Sequence, residues 1–209
     1  MTSAPRTLWI ATTNAGKLRD FALAADNRVQ LLPLPGVSAI KAPAEDEVTF
    51  EGNARVKAIY YSKFAPGEIV VADDSGLEVD ELDGRPGVRS ARYAEDMRYT
   101  MPNEASLDAR NNACLLSALR GVPGHQRQAR YRCVLAAARD GEVICEGSGV
   151  VEGVILSKPR GEGGFGYDPL FVPDGEMGSM SELDPERRMR LSHRGRALAD
   201  LISKLALRF

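Results

Sequence analysis

Residues 129–151 limit the fold more than any other part of the chain. Ala129, Tyr131, Cys133, Leu135 and Ala137 occupy every second position, the period of a strand with one buried face. Asp140-Gly141 follows, a dipeptide that tolerates the positive φ angles of a two-residue hairpin turn, and residues 142–151 continue as a second strand. Two long strands joined by so short a connection must run antiparallel. Upstream, residues 8–11 form an apolar run, Thr12 to Lys17 a polar loop, and Leu18, Phe21, Ala22 and Ala25 recur at helical spacing, which predicts strand, loop and helix. Residues 29–34 predict another strand. Thr49 can cap a helix whose Phe50, Ala54, Ala58 and Tyr61 share one face. Residues 69–72 predict a compact buried strand, and Gly76, Gly84 and Pro86 predict a hairpin or loop over a cleft across 73–86. A helix is expected over 102–119, a Gly-rich loop over 161–166, and a last helix capped by Ser192 that carries Ala197, Leu198, Leu201, Ile202 and Leu205. Helices and strands interleave without a strict βαβ rhythm, so the expected class is α/β with a mixed sheet built on long antiparallel strands.

At 209 residues the chain is long enough for one domain with a sizeable core. Hydrophobic content of 44% and charged content of 27% exclude a disordered chain. A net charge of −2 argues against bulk nucleic-acid binding, so any anion must be met locally. The charge is unevenly spread: residues 41–83 hold 11 acidic and 4 basic side chains, residues 186–208 hold 7 basic and 2 acidic. That arrangement suits a metal and a polyphosphate, although two solvated surfaces would read the same way. Cys114, Cys133 and Cys145 are odd in number and form no C-x-x-C pair, which suggests neither a disulfide framework nor a zinc cluster and fits a reducing cytoplasm. No apolar run approaches ~18 residues, and the first residues lack the apolar core of a signal peptide; a cytoplasmic location without a membrane partner is expected.

Gly161-Glu-Gly-Gly-Phe-Gly166 has the spacing of a dinucleotide fingerprint, but Pro169 follows where a helix should open. Ala15-Gly16-Lys17-Leu18 resembles the end of a P-loop only in outline, since position 18 is neither Ser nor Thr. A strand, a Thr-Thr-Asn-x-Gly-Lys loop and a helix still place backbone donors, hydroxyls and an ammonium at one helix N-terminus, a sound phosphate cradle. In Val70-Val-Ala-Asp73-Asp74-Ser-Gly76 two adjacent carboxylates leave an apolar strand end on opposite sides. Such a pair calls for a cation, and Mg²⁺ takes a few carboxylates together with phosphate oxygens and water; alternatively one aspartate caps the turn. Glu45, Asp46, Glu47 and Glu51 lie close enough to the next helix to supply a further ligand. Ser192-His193-Arg194-Gly195 opens the last helix with an imidazole and a guanidinium, which favours an anion or a carbonyl-bearing base.

Taken together, the stretches around Thr12 to Lys17, Thr49-Phe50-Glu51-Gly52-Asn53-Ala54, Ala72-Asp73-Asp74-Ser75-Gly76-Leu77, Pro86-Gly87-Val88-Arg89-Ser90-Ala91-Arg92-Tyr93, Gly163 to Pro169 and Ser192-His193-Arg194 resemble the inosine triphosphate pyrophosphatase family over nearly the whole chain. The resemblance implies a single domain over residues 1–209 with two non-contiguous lobes flanking a nucleotide-binding cleft, a homodimer, Mg²⁺ dependence, and cleavage of ITP, dITP or XTP to the monophosphate and pyrophosphate. By motif, Thr12, Thr13, Asn14, Ala15, Gly16 and Lys17 would hold the triphosphate. Asp74 would serve as acid–base residue and metal ligand, Glu45 as second ligand with Asp46 and Glu47 as alternatives, and Ser75 would touch the nucleotide. Phe165 would stack on the purine, Gly166, Tyr167 and Asp168 would complete the nucleoside pocket, and His193 and Arg194 would reach the base. The family usually has Gly at Thr13 and Lys at Arg188; arginine keeps the charge for a substrate contact but changes its geometry. Pyrophosphatases for other modified or pyrimidine nucleotides, and a non-catalytic nucleotide sensor, are the alternatives.

Overall fold

A computed structural model describes residues 6–25, 29–101 and 105–207. Along the chain run β1 (Arg6–Ile10), α1 (Ala15–Ala24), β2 (Val29–Pro33), α2 (Phe50–Ser62), β3 (Val70–Val79), α3 (Tyr93–Asp96), α4 (Leu107–Ala118), β4 (Gln128–Arg139), β5 (Glu142–Ile155), β6 (Phe171–Pro173), α5 (Pro185–Leu191) and α6 (His193–Ala206). The strands form one mixed sheet in the order β2-β1-β3-β4-β5-β6. β2 and β3 both run parallel to β1, with Leu8 opposite Leu31 and Ile10 opposite Val71. β6 is antiparallel to β5, with Val154 opposite Val172. The expected α/β class with long antiparallel strands is borne out. Asp140 and Gly141 both adopt positive φ, 53° and 86°, the geometry whose twist suits a two-residue hairpin between β4 and β5.

The chain divides into two compact units. One comprises Met1–Asp74, Cys133–Gly149 and Ser192–Phe209. Its core joins Leu8, Ile10 and Val71 of the sheet to Cys133, Leu135 and Ala137 of β4, Phe21 of α1 and the apolar face of α6. The other comprises Ser75–Arg132 and Val150–Leu191, and its core gathers Leu77, Val79, Leu115, Leu119, Tyr131, Tyr167, Leu170 and Phe171.

Local signals set the helix starts. Thr49 Oγ1 accepts the Gly52 N–H at 3.1 Å, and Ser192 Oγ accepts the N–H groups of Arg194 and Gly195 at 3.2 and 3.4 Å, so both expected caps are in place. Two expectations are corrected. The helix expected from residue 102 begins at Leu107, where Ser106 Oγ accepts the Ala109 N–H at 3.2 Å; Pro102, Asn103 and Glu104 lie outside the described residues. The stretch after residue 72 turns later than expected: β3 continues to Val79, so Asp73 and Asp74 lie inside a strand and not at its end, and the chain reverses only over residues 80–85, where Glu78 pairs antiparallel with Pro86. Gly76 is tolerated there because a Cβ would sit 2.4 Å from both the Gly87 carbonyl oxygen and Ser90 Oγ. A strand glycine marks such a close approach as readily as a turn. Ser90 Oγ accepts the Leu77 N–H at 2.8 Å and donates to the Gly87 carbonyl at 2.6 Å.

Candidate active site

Alternation along β3 sends its two aspartates to opposite faces of the strand, and each meets a different helix. Asp73 Oδ2 lies 2.7 Å from Lys17 Nζ in the first turn of α1. Asp74 turns to α2, where Oδ2 accepts the Asn53 side-chain N–H at 3.0 Å and Oδ1 lies 3.2 Å from Lys57 Nζ. The same ammonium lies 3.1 Å from Glu45 Oε1, so one cation ties two carboxylates together. Asn53 anchors the acidic segment as well: its Oδ1 accepts the Glu47 N–H at 3.1 Å and its Nδ2 donates to the Glu47 carbonyl at 3.4 Å. Of the three acidic candidates, Glu45 is half-buried and shares Lys57 with Asp74, while Asp46 and Glu47 are exposed.

The two aspartates titrate in opposite directions. Burial, reinforced by Asp73, raises the Asp74 carboxyl above its usual value, and the opposing pull of Lys57 and the Asn53 hydrogen bond does not reverse it. Burial would raise Asp73 too, yet Lys17 and Lys57 hold it below the usual carboxylate range. Burial disfavours the Lys57 ammonium, but Asp73, Asp74 and Glu45 outweigh that and raise its pKa. Asp73 is therefore a fixed counter-charge, and Asp74 is the better proton acceptor of the pair.

Around this cluster stand the N-termini of two helices. Asn14 caps α1 by accepting the Lys17 N–H at 3.1 Å, and Thr12 Oγ1 accepts the Asn14 N–H at 3.2 Å. Thr13, Asn14 and Ala15 are exposed, and Gly16 is buried beneath them. The first turn thus offers backbone donors and the positive end of the helix dipole to an anion. At α6, Arg194 Nη1 lies 3.0 Å from Asp20 Oδ2 of α1. His193 is 2% exposed, and burial pushes its pKa well below the ordinary histidine value, so the imidazole is neutral.

The Gly-rich segment belongs to the other unit and opens no helix, as its sequence context implied. Asp168 is buried and shapes it: Oδ2 accepts the Phe165 N–H at 3.0 Å, and Oδ1 accepts the Tyr131 hydroxyl at 3.1 Å. Gly164 has a φ of +75°, and a Cβ there would lie 2.1 Å from Asp168 Oδ2. Tyr167 donates its hydroxyl to the Ser90 carbonyl at 2.9 Å. Arg188 Nη1 donates to the carbonyls of Met180 and Leu183, each at 3.4 Å, and lies beside Gly163. Phe165 is half-buried and lines a cavity of about 420 Å³ together with Asp108, Asn112, Leu116 and Pro169. Ser75 is half-buried on β3 beside Asp74 in the chain.

The structure therefore brings Thr12 to Lys17, Glu45, Asp74, His193 and Arg194 into one unit, and places Ser75, Phe165 to Asp168 and Arg188 in the other. Sequence reasoning missed Asn53, Lys57, Asp108, Asn112 and Tyr131. For the first two a signal existed: they sit one helical turn apart beside the apolar face of α2, and buried polar groups need partners. Asp108 and Asn112 share a helix face in the same way, but their partner Gly166 is more than 50 positions away.

The Ham1 family profile matches residues 8–204. A protein of Acidobacterium capsulatum named dITP/XTP pyrophosphatase is 53% identical over 201 residues, which is 95% of this chain and 98% of that one. A protein of the same name from Geobacter sulfurreducens is 46% identical, covering 92% of each chain. Among solved structures, the Staphylococcus aureus Ham1 protein superposes with a TM-score of 0.79 at 33% identity, covering 98% of this chain and 100% of that one. The nucleoside-triphosphatase / dITP/XTP pyrophosphatase of Mycobacterium abscessus gives 0.71 at 38% identity, covering 93% and 98%.

Proposed function

The chain belongs to the Ham1 family, and we propose from that premise how its residues carry out the reaction for which its relatives are named. It is a hydrolase of purine nucleoside triphosphates of the dITP and XTP type, ITP included, and it removes aberrant purine nucleotides from the pool. Water adds at the α-phosphorus, the bond from that phosphorus to the bridging oxygen breaks, and pyrophosphate leaves the monophosphate behind. The observation that carries this reading is the Asp74 cluster, a buried carboxylate held on one oxygen by Asn53 and on the other by the Lys57 ammonium that also binds Glu45.

Mg²⁺ fits this cluster. Glu45 and Asp74 already converge on one cation, Lys57 Nζ, and Mg²⁺ is commonly held by one or two carboxylates with the rest of its shell from water and phosphate. Bound by Glu45 and Asp74, Mg²⁺ would supply Lewis-acid stabilisation of the phosphate charge. The chain does the rest: the first turn of α1 and Lys17 bind the polyphosphate, Asp74 orients the water and takes its proton, and Asp73 keeps Lys17 in place. Positioning and electrostatics are what such a transfer demands. Phe165 supplies a stacking face for the purine, Gly166, Tyr167 and Asp168 shape the pocket around it, and Ser75, Arg188, His193 and Arg194 complete the substrate contacts. Donors facing the 6-keto oxygen would reject the 6-amino group of adenine, by up to roughly 10⁴-fold.

A cytoplasmic homodimer completes the proposal. The three cysteines are buried, in keeping with a reducing compartment, and among the described residues no helix is long and apolar enough to cross a membrane. The test is pyrophosphate release from ITP, XTP, GTP, ATP and dUTP with Mg²⁺, with EDTA and Asp74→Asn as controls. Fast release from ITP and XTP, slow release from ATP, and a loss of about 10³-fold in Asp74→Asn are expected. Activity of Asp74→Asn near that of the native protein would overturn the role of Asp74. Preference for dUTP would overturn the purine pocket, and nucleotide binding without pyrophosphate release would make the protein a sensor.

A further inference from the structure

One helix holds Gly166 by both of its backbone groups. Asp108 Oδ2 accepts the Gly166 N–H at 2.7 Å, and Asn112 Nδ2 donates to the Gly166 carbonyl at 2.9 Å. The two side chains are one turn apart on α4 and share a face. Gly166 itself adopts a φ of +64°, a conformation that glycine reaches without strain and that the two bonds hold in place. The peptides on either side of it join Gly166 to Phe165 and to Tyr167, so the clamp sets the direction in which the Phe165 ring leaves the loop.

We propose that Asp108 and Asn112 are positioning residues for the purine platform, fixing the plane of Phe165 and with it the affinity for the base. The inference rests on Phe165 being the stacking surface proposed above. A second observation separates this role from a purely structural one. Asn112 is 8% exposed, and its Oδ1 is buried without a hydrogen-bond partner among the described residues. A buried acceptor left unsatisfied works against folding, and an apolar side chain of similar size would remove that penalty. The asparagine is therefore not the residue that stability alone would select, and its distinctive contribution is the bond from Nδ2 to Gly166.

The experiment measures steady-state kinetics on ITP and the thermal midpoint for Asn112→Leu, Asp108→Ala, Asp108→Asn and Phe165→Ala. Asn112→Leu is expected to melt at or above the native protein while KM rises about tenfold and kcat stays within about twofold. Asp108→Ala should raise KM to a similar extent, and Asp108→Asn, which keeps an acceptor oxygen for the Gly166 N–H, should recover most of that loss. A lower midpoint with unchanged KM in Asn112→Leu would show a structural residue and overturn the proposal. So would Asp108→Asn being as damaging as Asp108→Ala, since charge and not the hydrogen bond would then be at work. If Phe165→Ala raises KM and the α4 variants do not, the clamp alone has failed; if Phe165→Ala leaves KM unchanged, the stacking platform has failed and the clamp with it.

Discussion

Lys57 is the residue on which the candidate site depends most for its stability. Its side chain is 10% exposed and meets Asp74, 7% exposed, and Glu45. Removing one partner of a buried pair leaves a desolvated charge without compensation, a loss of about 3 kcal/mol or more. Lys57→Met should therefore lower the unfolding free energy by about 3 kcal/mol in urea titrations; a loss under about 1 kcal/mol would mean that water solvates the carboxylates. His193 makes a separate, pH-dependent contribution. The unfolded chain binds a proton at this residue near pH 6.5, whereas the buried imidazole resists protonation until well below that. Its stabilisation is present above about pH 6.5 and is lost as pH falls, by about 1.4 kcal/mol per unit. Asp74, raised by burial, acts with the opposite sign, since the folded state takes up its proton first. The informative quantity is thus the difference between native protein and His193→Gln in urea midpoint at pH 7.5, 6.5 and 5.5. A difference that does not change with pH would show that His193 titrates in the folded protein as it does in the unfolded chain, so that its burial carries no such penalty.

At the scale of elements, the placement of α6 depends on two glycines of β5. A Cβ at Gly149 would lie 2.1 Å from the His193 carbonyl oxygen and 2.5 Å from the Ala197 nitrogen, and one at Gly147 would lie 2.4 Å from the Ala197 carbonyl oxygen. These are backbone atoms of the helix, so the helix itself must move to admit a methyl group. Gly149→Ala should cost about 2 kcal/mol and displace the turn that carries His193 and Arg194, whereas Gly124→Ala, with open space around it, should be within about 0.5 kcal/mol of neutral. Equal midpoints for the two variants would show that α6 is not in backbone contact with β5. Ser192→Ala tests the same turn by another route. It removes the oxygen that accepts from Arg194 and Gly195 and should cost about 1 kcal/mol.

At the scale of the whole molecule, ligand binding should appear as stability. In Asp74→Asn, whose turnover is expected to be about 10³-fold slower, ITP with Mg²⁺ at about 100 times its dissociation constant should add about 2.7 kcal/mol, and ATP at the same concentration should add much less. An identical gain from both nucleotides would mean that the site reads only the triphosphate. The parts of this molecule that were legible in the sequence are those decided within a few residues. The Asp140-Gly141 turn follows from two residues that accept positive φ. The caps at Thr49 and Ser192 follow from hydroxyls three positions or fewer from the N–H groups they accept, and the α6 core face follows from helical period. The paired aspartates and the Gly-rich loop were visible too, as residue types. Tertiary structure decided what those residues meet. It carried β3 through Gly76 because Ser90 and Gly87 pack against it, turned Glu45 and not its neighbours to Lys57, and closed α4 onto Gly166. Contacts between residues far apart in the chain leave no periodic or local mark on it. They are fixed only when packing brings buried polar groups to the partners they require.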